Sequence, residues 1–160
     1  HRELAQVLSK AGVDLILCET FPHIGEGLAA AEAALSTETP TWLSFTAGPE
    51  DKLLSSSAIA KGAAAAAALG VSAILVNCVP ATSAERYLDA IAGHGIPFGI
   101  YANAGSKNQG IGWGAGPDGP ARYVDLAHTW VEQGATLIGS CCGTGPEHIR
   151  ALCSAFRRDD

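Results

Sequence analysis

Methionine is missing from all 160 residues, so the sequence carries no initiator, and it opens on His1-Arg2-Glu3-Leu4 within a helical pattern; both features predict a segment of a longer polypeptide. Cations are scarce as well: ten Lys and Arg stand against sixteen Asp and Glu, for a formal charge of −6, and they are scattered. A chain without a basic patch lacks the phosphate-neutralising surface that nucleic-acid binding needs, so no nucleic-acid partner is expected. No apolar run approaches the roughly 18 residues that cross a bilayer, and the first residues are too charged for a secretory signal, so no membrane anchor is expected. Charged residues make up 16% and aromatics 6%, but hydrophobic residues reach 48%, which excludes a disordered chain. Five cysteines, an odd number, without a secretory signal predict a reducing, cytoplasmic setting in which thiols stay free and clusters of them hold metal or do chemistry.

What is present is a repeat. Short β-rich apolar runs occupy residues 14–18 (DLILC), 41–46 (TWLSFT), 73–78 (AILVNC), 98–101 (FGIY) and 136–139 (TLIG). Their starts lie 27, 32, 25 and 38 residues apart, close to the roughly 30 residues of one βαβ unit. Runs that are apolar throughout, rather than alternating, fit parallel strands covered on both faces. Helical patterns over 2–11 and 57–69 each stop at a glycine, Gly12 and Gly70, placed for the left-handed C-cap. A helix over 82–92 has Thr82 and Glu85 at capping-box spacing, one over 120–133 follows Asp118 and stops at Gly134, and Pro146 opens a last helix over 146–156. The alanines of 63–68 are helix formers that let a helix pack close to a sheet. With no linker visible, five βα units allow an open doubly wound parallel sheet or the last five units of a (β/α)8 TIM barrel, which typically takes about 250 residues. The missing methionine and the helical start favour the second: residues 1–160 as a partial barrel domain lacking its amino-terminal strands.

In either architecture function collects at the carboxyl ends of the strands. Cys78 ends the third run, and Cys141 and Cys142 follow the fifth. Adjacent residues of a strand point to opposite faces, but Gly139 and Gly143 let the backbone curl and bring both sulfurs to one point. Three thiolates with an exchangeable fourth position make a catalytic rather than a structural zinc site. Read from the pattern alone, buried thiols and a redox pair of Cys141 and Cys142 stand beside that reading.

The motifs CETFP at 18–22, VNC at 76–78 and GSCCGT at 139–144, in that order and spacing, resemble the homocysteine S-methyltransferase family, zinc-dependent thiol methyltransferases built on a (β/α)8 barrel. The resemblance implies that Cys78, Cys141 and Cys142 are ligands of Zn2+, that Glu19 binds the homocysteine ammonium, and that a methyl group passes from an onium or N-methyl donor to homocysteine, forming methionine. Asn103, in the YANAG stretch that resembles the family's YPNSG, is implied at the substrate site. The family's Gly-Gly before the cysteine pair is Gly139-Ser140 here.

Other residues receive quieter readings. Cys18 reads as core and Cys153 as a thiol without a role. His148, near the start of the last helix, reads as structural or surface, and His23 as a loop histidine. The long glycine-rich loop over 102–119 reads equally as a lid, with Ser106, Asn108 and Trp113 near the donor, or as a surface loop. Trp42 and Trp130 read as packing residues. An unclosed barrel exposes two sheet edges, which invites a missing amino-terminal segment or another copy to pair with them; a catalytically inactive assembly module is the corresponding alternative function.

Overall fold

The computed structural model describes residues 1–112 and 116–157. In it the five apolar runs become five parallel strands: β1 (Ile16–Phe21), β2 (Thr41–Phe45), β3 (Ala73–Pro80), β4 (Phe98–Asn103) and β5 (Leu137–Ser140). Helices α1 (Arg2–Lys10), α2 (Ile24–Leu35), α3 (Ser56–Leu69), α4 (Glu85–Ile91), α5 (Gly119–Glu132) and α6 (Pro146–Phe156) alternate with them. The strands lie in one sheet in the order β1-β2-β3-β4-β5. Right-handed crossovers that always step the same way place every connecting helix on one face of the sheet. A doubly wound sheet reverses its order and covers both faces, so the sequential order decides for βα units of the barrel kind.

Side-chain alternation then gives the sheet two unlike faces. Ile16, Leu43, Phe45, Ile74, Val76 and Ile100 join the main core with the helices, where Ala30, Ala31, Ala34, Ala63 and Ala66 allow close approach. Ala73 and Leu75 are buried but lie outside that core cluster. They belong to the opposite face, which carries Glu19, Ser44, Asn77 and Tyr101 toward the carboxyl ends of the strands.

The punctuation of the helices follows the sequence with one correction. Ser55 Oγ accepts from the Ala58 amide at 3.2 Å, Gly70 closes α3 at φ 93°, and Pro146 opens α6. The capping box expected at Thr82 does not form: residues Ala81–Ser83 make a 3-10 turn and α4 starts only at Glu85, without a side-chain cap. The Thr82 hydroxyl accepts instead from Gln109 Nε2 at 2.9 Å, and Ser83 donates to Asp51 at 2.6 Å. These tertiary partners outcompete the local cap. Trp130 is fully buried and meets the Tyr123 ring edge-on at 5.3 Å, as befits a packing residue, whereas Trp42 is half-buried on the other face.

Candidate functional site

Alternation continued along β3 would send the side chain of Cys78, like that of Val76, toward the helices. Register with β4 is lost between Asn77 and Pro80, and Cys78 adopts φ 52°, a conformation that non-glycine residues rarely hold. That kink turns Cys78 to the end of the sheet. Such a residue costs about 1–3 kcal/mol and persists only where its surroundings fix it. Asn103 does so: its Nδ2 donates to the Cys78 carbonyl at 3.0 Å while its Oδ1 accepts from the Gly105 amide at 2.7 Å. Across the sheet, the Cys141 amide donates to the Ala102 carbonyl and the Ala104 amide to the Cys142 carbonyl, both at 2.9 Å, so the pair stays stapled to β4 as the chain turns. The turn closes at Gly143, φ 81°, where a side chain would be strained. Gly139, expected to share in the curl, remains within β5, and the bend falls after Ser140.

The result is one cluster. Cys78 Sγ lies 3.6 Å and Cys141 Sγ 3.8 Å from Cys142 Sγ, and all three sulfurs fall within 4.8 Å of one another. Four sulfurs around zinc at about 2.3 Å stand about 3.8 Å apart on a tetrahedron's edges, so the observed spacing fits such an ion. No fourth His, Cys, Asp or Glu joins the group among the described residues. A disulfide between Cys141 and Cys142 fits poorly, because consecutive Cα atoms sit about 3.8 Å apart, short of the roughly 4.4–6.8 Å that bridged cysteines need. Burial, followed by hydrogen bonding to the sulfurs of Cys141 and Cys142, pushes the Cys78 thiol up to about 12, and burial raises Cys141 too. Cys78 and Cys141 therefore hold their protons until a cation compensates the charge.

Beside the sulfurs, on the face away from the helices, lies a polar belt. Tyr101 donates its hydroxyl to Glu19 Oε2 at 3.1 Å, and burial, together with the Glu19 charge, keeps that phenol protonated well above its usual range. Ser44 donates to Asn77 Oδ1 and Asn77 Nδ2 donates to Thr20 Oγ1, each at 2.7 Å. Tyr101, Ser44, Asn77 and Thr20 were not among the expected site residues. Their signal was present as polar residues at alternating positions of otherwise apolar strands.

The sequence model of the family described as homocysteine S-methyltransferase matches residues 1–156. The chain belongs to the homocysteine S-methyltransferase family. A homocysteine S-methyltransferase of Escherichia coli (strain K12) is 32% identical over 159 residues, covering 95% of this chain and 51% of that protein. Homocysteine S-methyltransferase 4 of Zea mays is 33% identical, over 98% of this chain and 48% of its own length. A selenocysteine methyltransferase of Astragalus bisulcatus is 31% identical, over 95% and 47%. The chain thus spans about half the length of the curated relatives it matches. Among solved structures, a putative phosphonomutase from Burkholderia cenocepacia J2315 superposes with a TM-score of 0.69 at 13% identity, over 96% of this chain and 71% of that one. A phosphonopyruvate hydrolase gives 0.68 at 16%, over 98% and 60%. These are TIM-barrel enzymes, and likeness at such identity shows the fold alone: the five βα units of this chain are part of a barrel.

The remaining expectations fall around that family's cysteine turn. His148, 3% exposed, accepts from the Gly145 amide at Nδ1 (3.1 Å), which places its proton on Nε2 for the Ile111 carbonyl at 2.7 Å. Glu147 Oε1 also lies 3.4 Å from Nδ1, but a nitrogen that accepts from an amide carries no proton to share with a carboxylate. His148 is thus a structural residue that ties the β4–α5 loop to the residues after the cysteine pair. Gly112 packs against the Gly143 carbonyl and the Ala104 methyl, leaving no room for a Cβ. The described part of that loop is therefore anchored on the cysteine turn and on His148. Ser106 and Asn108 are exposed within it, and Trp113 lies outside the described residues. His23 is exposed before α2, Cys18 is buried and Cys153 is exposed. Among the described residues no helix is long and apolar enough to cross a membrane.

Proposed function

We propose that this chain supplies the carboxyl-terminal five βα units of a (β/α)8 domain that transfers a methyl group from an onium or N-methyl donor to the thiol of homocysteine, forming methionine. The observation that carries the reading is the trio of sulfurs at tetrahedral spacing beside a carboxylate held by a tyrosine. Cys78, Cys141 and Cys142 would hold a zinc ion there, and its charge would lower the pKa of an incoming thiol and keep the sulfur nucleophilic near neutral pH. The three cysteines supply a donor set of net charge −3, soft and matched to that ion. Asn103 holds the Cys78 carbonyl and so keeps its sulfur facing the other two. Glu19 receives the substrate ammonium on the oxygen that Tyr101 leaves free, which orients the amino-acid end while the thiol points at the cysteines. In the transfer, the new sulfur–methyl bond forms as the donor's methyl–sulfur or methyl–nitrogen bond breaks. The bonding pair leaves with the donor and the thiol proton goes to solvent. Fixing acceptor and donor in line supplies the acceleration that needs no protein base. Free thiols of this kind persist in a reducing compartment, which supports a cytoplasmic location.

The redox reading finds no support in the adjacent pair's geometry. Metal analysis of the protein beside its Cys78→Ser, Cys141→Ser and Cys142→Ser variants tests the proposal. One zinc per chain in the parent and a clear loss in each variant is the expected result, together with methyl transfer to homocysteine from a sulfonium, a quaternary ammonium or an N-methylated folate. Undiminished zinc in all three variants rejects the ligand assignment.

A further inference from the structure

We infer that the hydrogen bond from Asn77 to Thr20 is a positioning device that aims Glu19, and that through it the site selects thiols bearing an α-ammonium group over thiols without one. The inference rests on the proposed role of Glu19 and adds residues to it.

Thr20 is exposed, yet it holds φ 64°, a left-handed conformation that a β-branched residue adopts with strain. Glycine or asparagine would sit there more easily, so something other than backbone comfort is served by threonine. What it offers is a hydroxyl. Asn77, 1% exposed in the central strand, donates to that hydroxyl at 2.7 Å and is itself held by Ser44, which is fully buried and donates to Asn77 Oδ1 at 2.7 Å. The relay thus crosses β2, β3 and β1. It ends on the residue next to Glu19, at the point where β1 loses register with β2, between Cys18 and Phe21. Its middle member is the residue next to Cys78. One buried amide therefore spans from the strand that delivers a sulfur ligand to the strand that delivers the carboxylate, and fixes the spacing between them. A substrate with a thiol at one end and an ammonium at the other is measured against that spacing.

The test titrates the zinc-loaded protein, or its cobalt(II)-substituted form for a visible spectrum, with homocysteine and with 4-mercaptobutanoate, which lacks the amino group. The parent should prefer homocysteine by about tenfold, the scale of one charge-assisted hydrogen bond. Thr20→Val keeps the shape and the backbone strain but removes the acceptor. It should bring the two thiols within about twofold of each other, with zinc content and 4-mercaptobutanoate affinity unchanged. Thr20→Ser should restore the preference. Thr20→Gly should melt no lower than the parent, since it relieves the backbone, and still lose the preference; it also serves if the valine variant does not fold. A preference that survives in both Val and Gly variants, or an equal loss for both thiols, overturns the inference. A parent with no preference overturns the Glu19 role, and this inference falls with it.

Discussion

Strands β1 and β3 both lose parallel register at their carboxyl ends, and each does so at a non-glycine residue with positive φ, Thr20 in one and Cys78 in the other. The two kinks are supported differently. In β3, a central strand, the kinked residue itself is a proposed ligand; its carbonyl is clamped by Asn103, and its sulfur meets two others. In β1, at the sheet edge, the kinked residue stands beside Glu19, is exposed, and is held through its hydroxyl by Asn77. A strained conformation lasts where its surroundings over-determine it. The support at β3 is thus the denser of the two, and the proposed division gives metal binding to β3 and substrate choice to β1.

The largest effect that sharpens this contrast is on zinc. Cys78→Ser should weaken zinc binding by at least about a hundredfold, while Glu19→Ala should leave it within about twofold, measured by competition with a chromophoric chelator. Equal losses in the two variants would erase the distinction between the strands. Asn103→Ala, which frees the Cys78 carbonyl, should cost zinc affinity about tenfold, the scale of an outer-shell partner. Gly112→Ala should destabilise the protein by about 1–3 kcal/mol in denaturant, because its Cβ collides with the Gly143 carbonyl behind the cysteine turn.

In the metal-free protein, pH separates the two regions. Cys78 is pushed up from 9.0 to about 12, so the unfolded chain gives up that proton first. Its contribution to stability is complete below the lower value and is lost as pH rises toward the upper one. Denaturation at stepped pH should show this decline, and Cys78→Ser should make it shallower, the raised Cys141 and Tyr101 leaving part of it in place. The smallest effect concerns Glu19 of β1: Tyr101→Phe, in β4, removes one donor to it and should change homocysteine affinity by only about three- to tenfold, with zinc content untouched.

The five apolar runs located every strand, and glycine and proline located most helix ends, because burial and backbone restriction act locally. Four strands nevertheless run further than their apolar runs: β1 to Phe21, β3 to Pro80, β4 to Asn103 and β5 to Ser140. The added residues include Glu19, Thr20 and Asn103, whose polar side chains end an apolar pattern without ending strand pairing. Cys78 and the Cys141-Cys142 pair were legible because cysteines at strand ends are chemically conspicuous. Ser44, Asn77 and Tyr101 were not, since a polar residue inside an apolar run gains meaning only from the partner opposite it. Thr82 failed as a cap for the same reason, its hydroxyl finding Gln109 instead of the helix.

By itself the sequence determined the alternation of strand and helix, the parallel character of the sheet and the residue types available at the strand ends, all of which follow from hydrophobic periodicity and chain stiffness. Only the tertiary structure decided the sequential strand order that separates barrel from doubly wound sheet, and the left-handed turn at Cys78 that carries its sulfur to within 3.6 Å of a residue 64 positions away. Both depend on contacts between distant segments, and a local pattern does not encode which of its allowed conformations those contacts will hold in place.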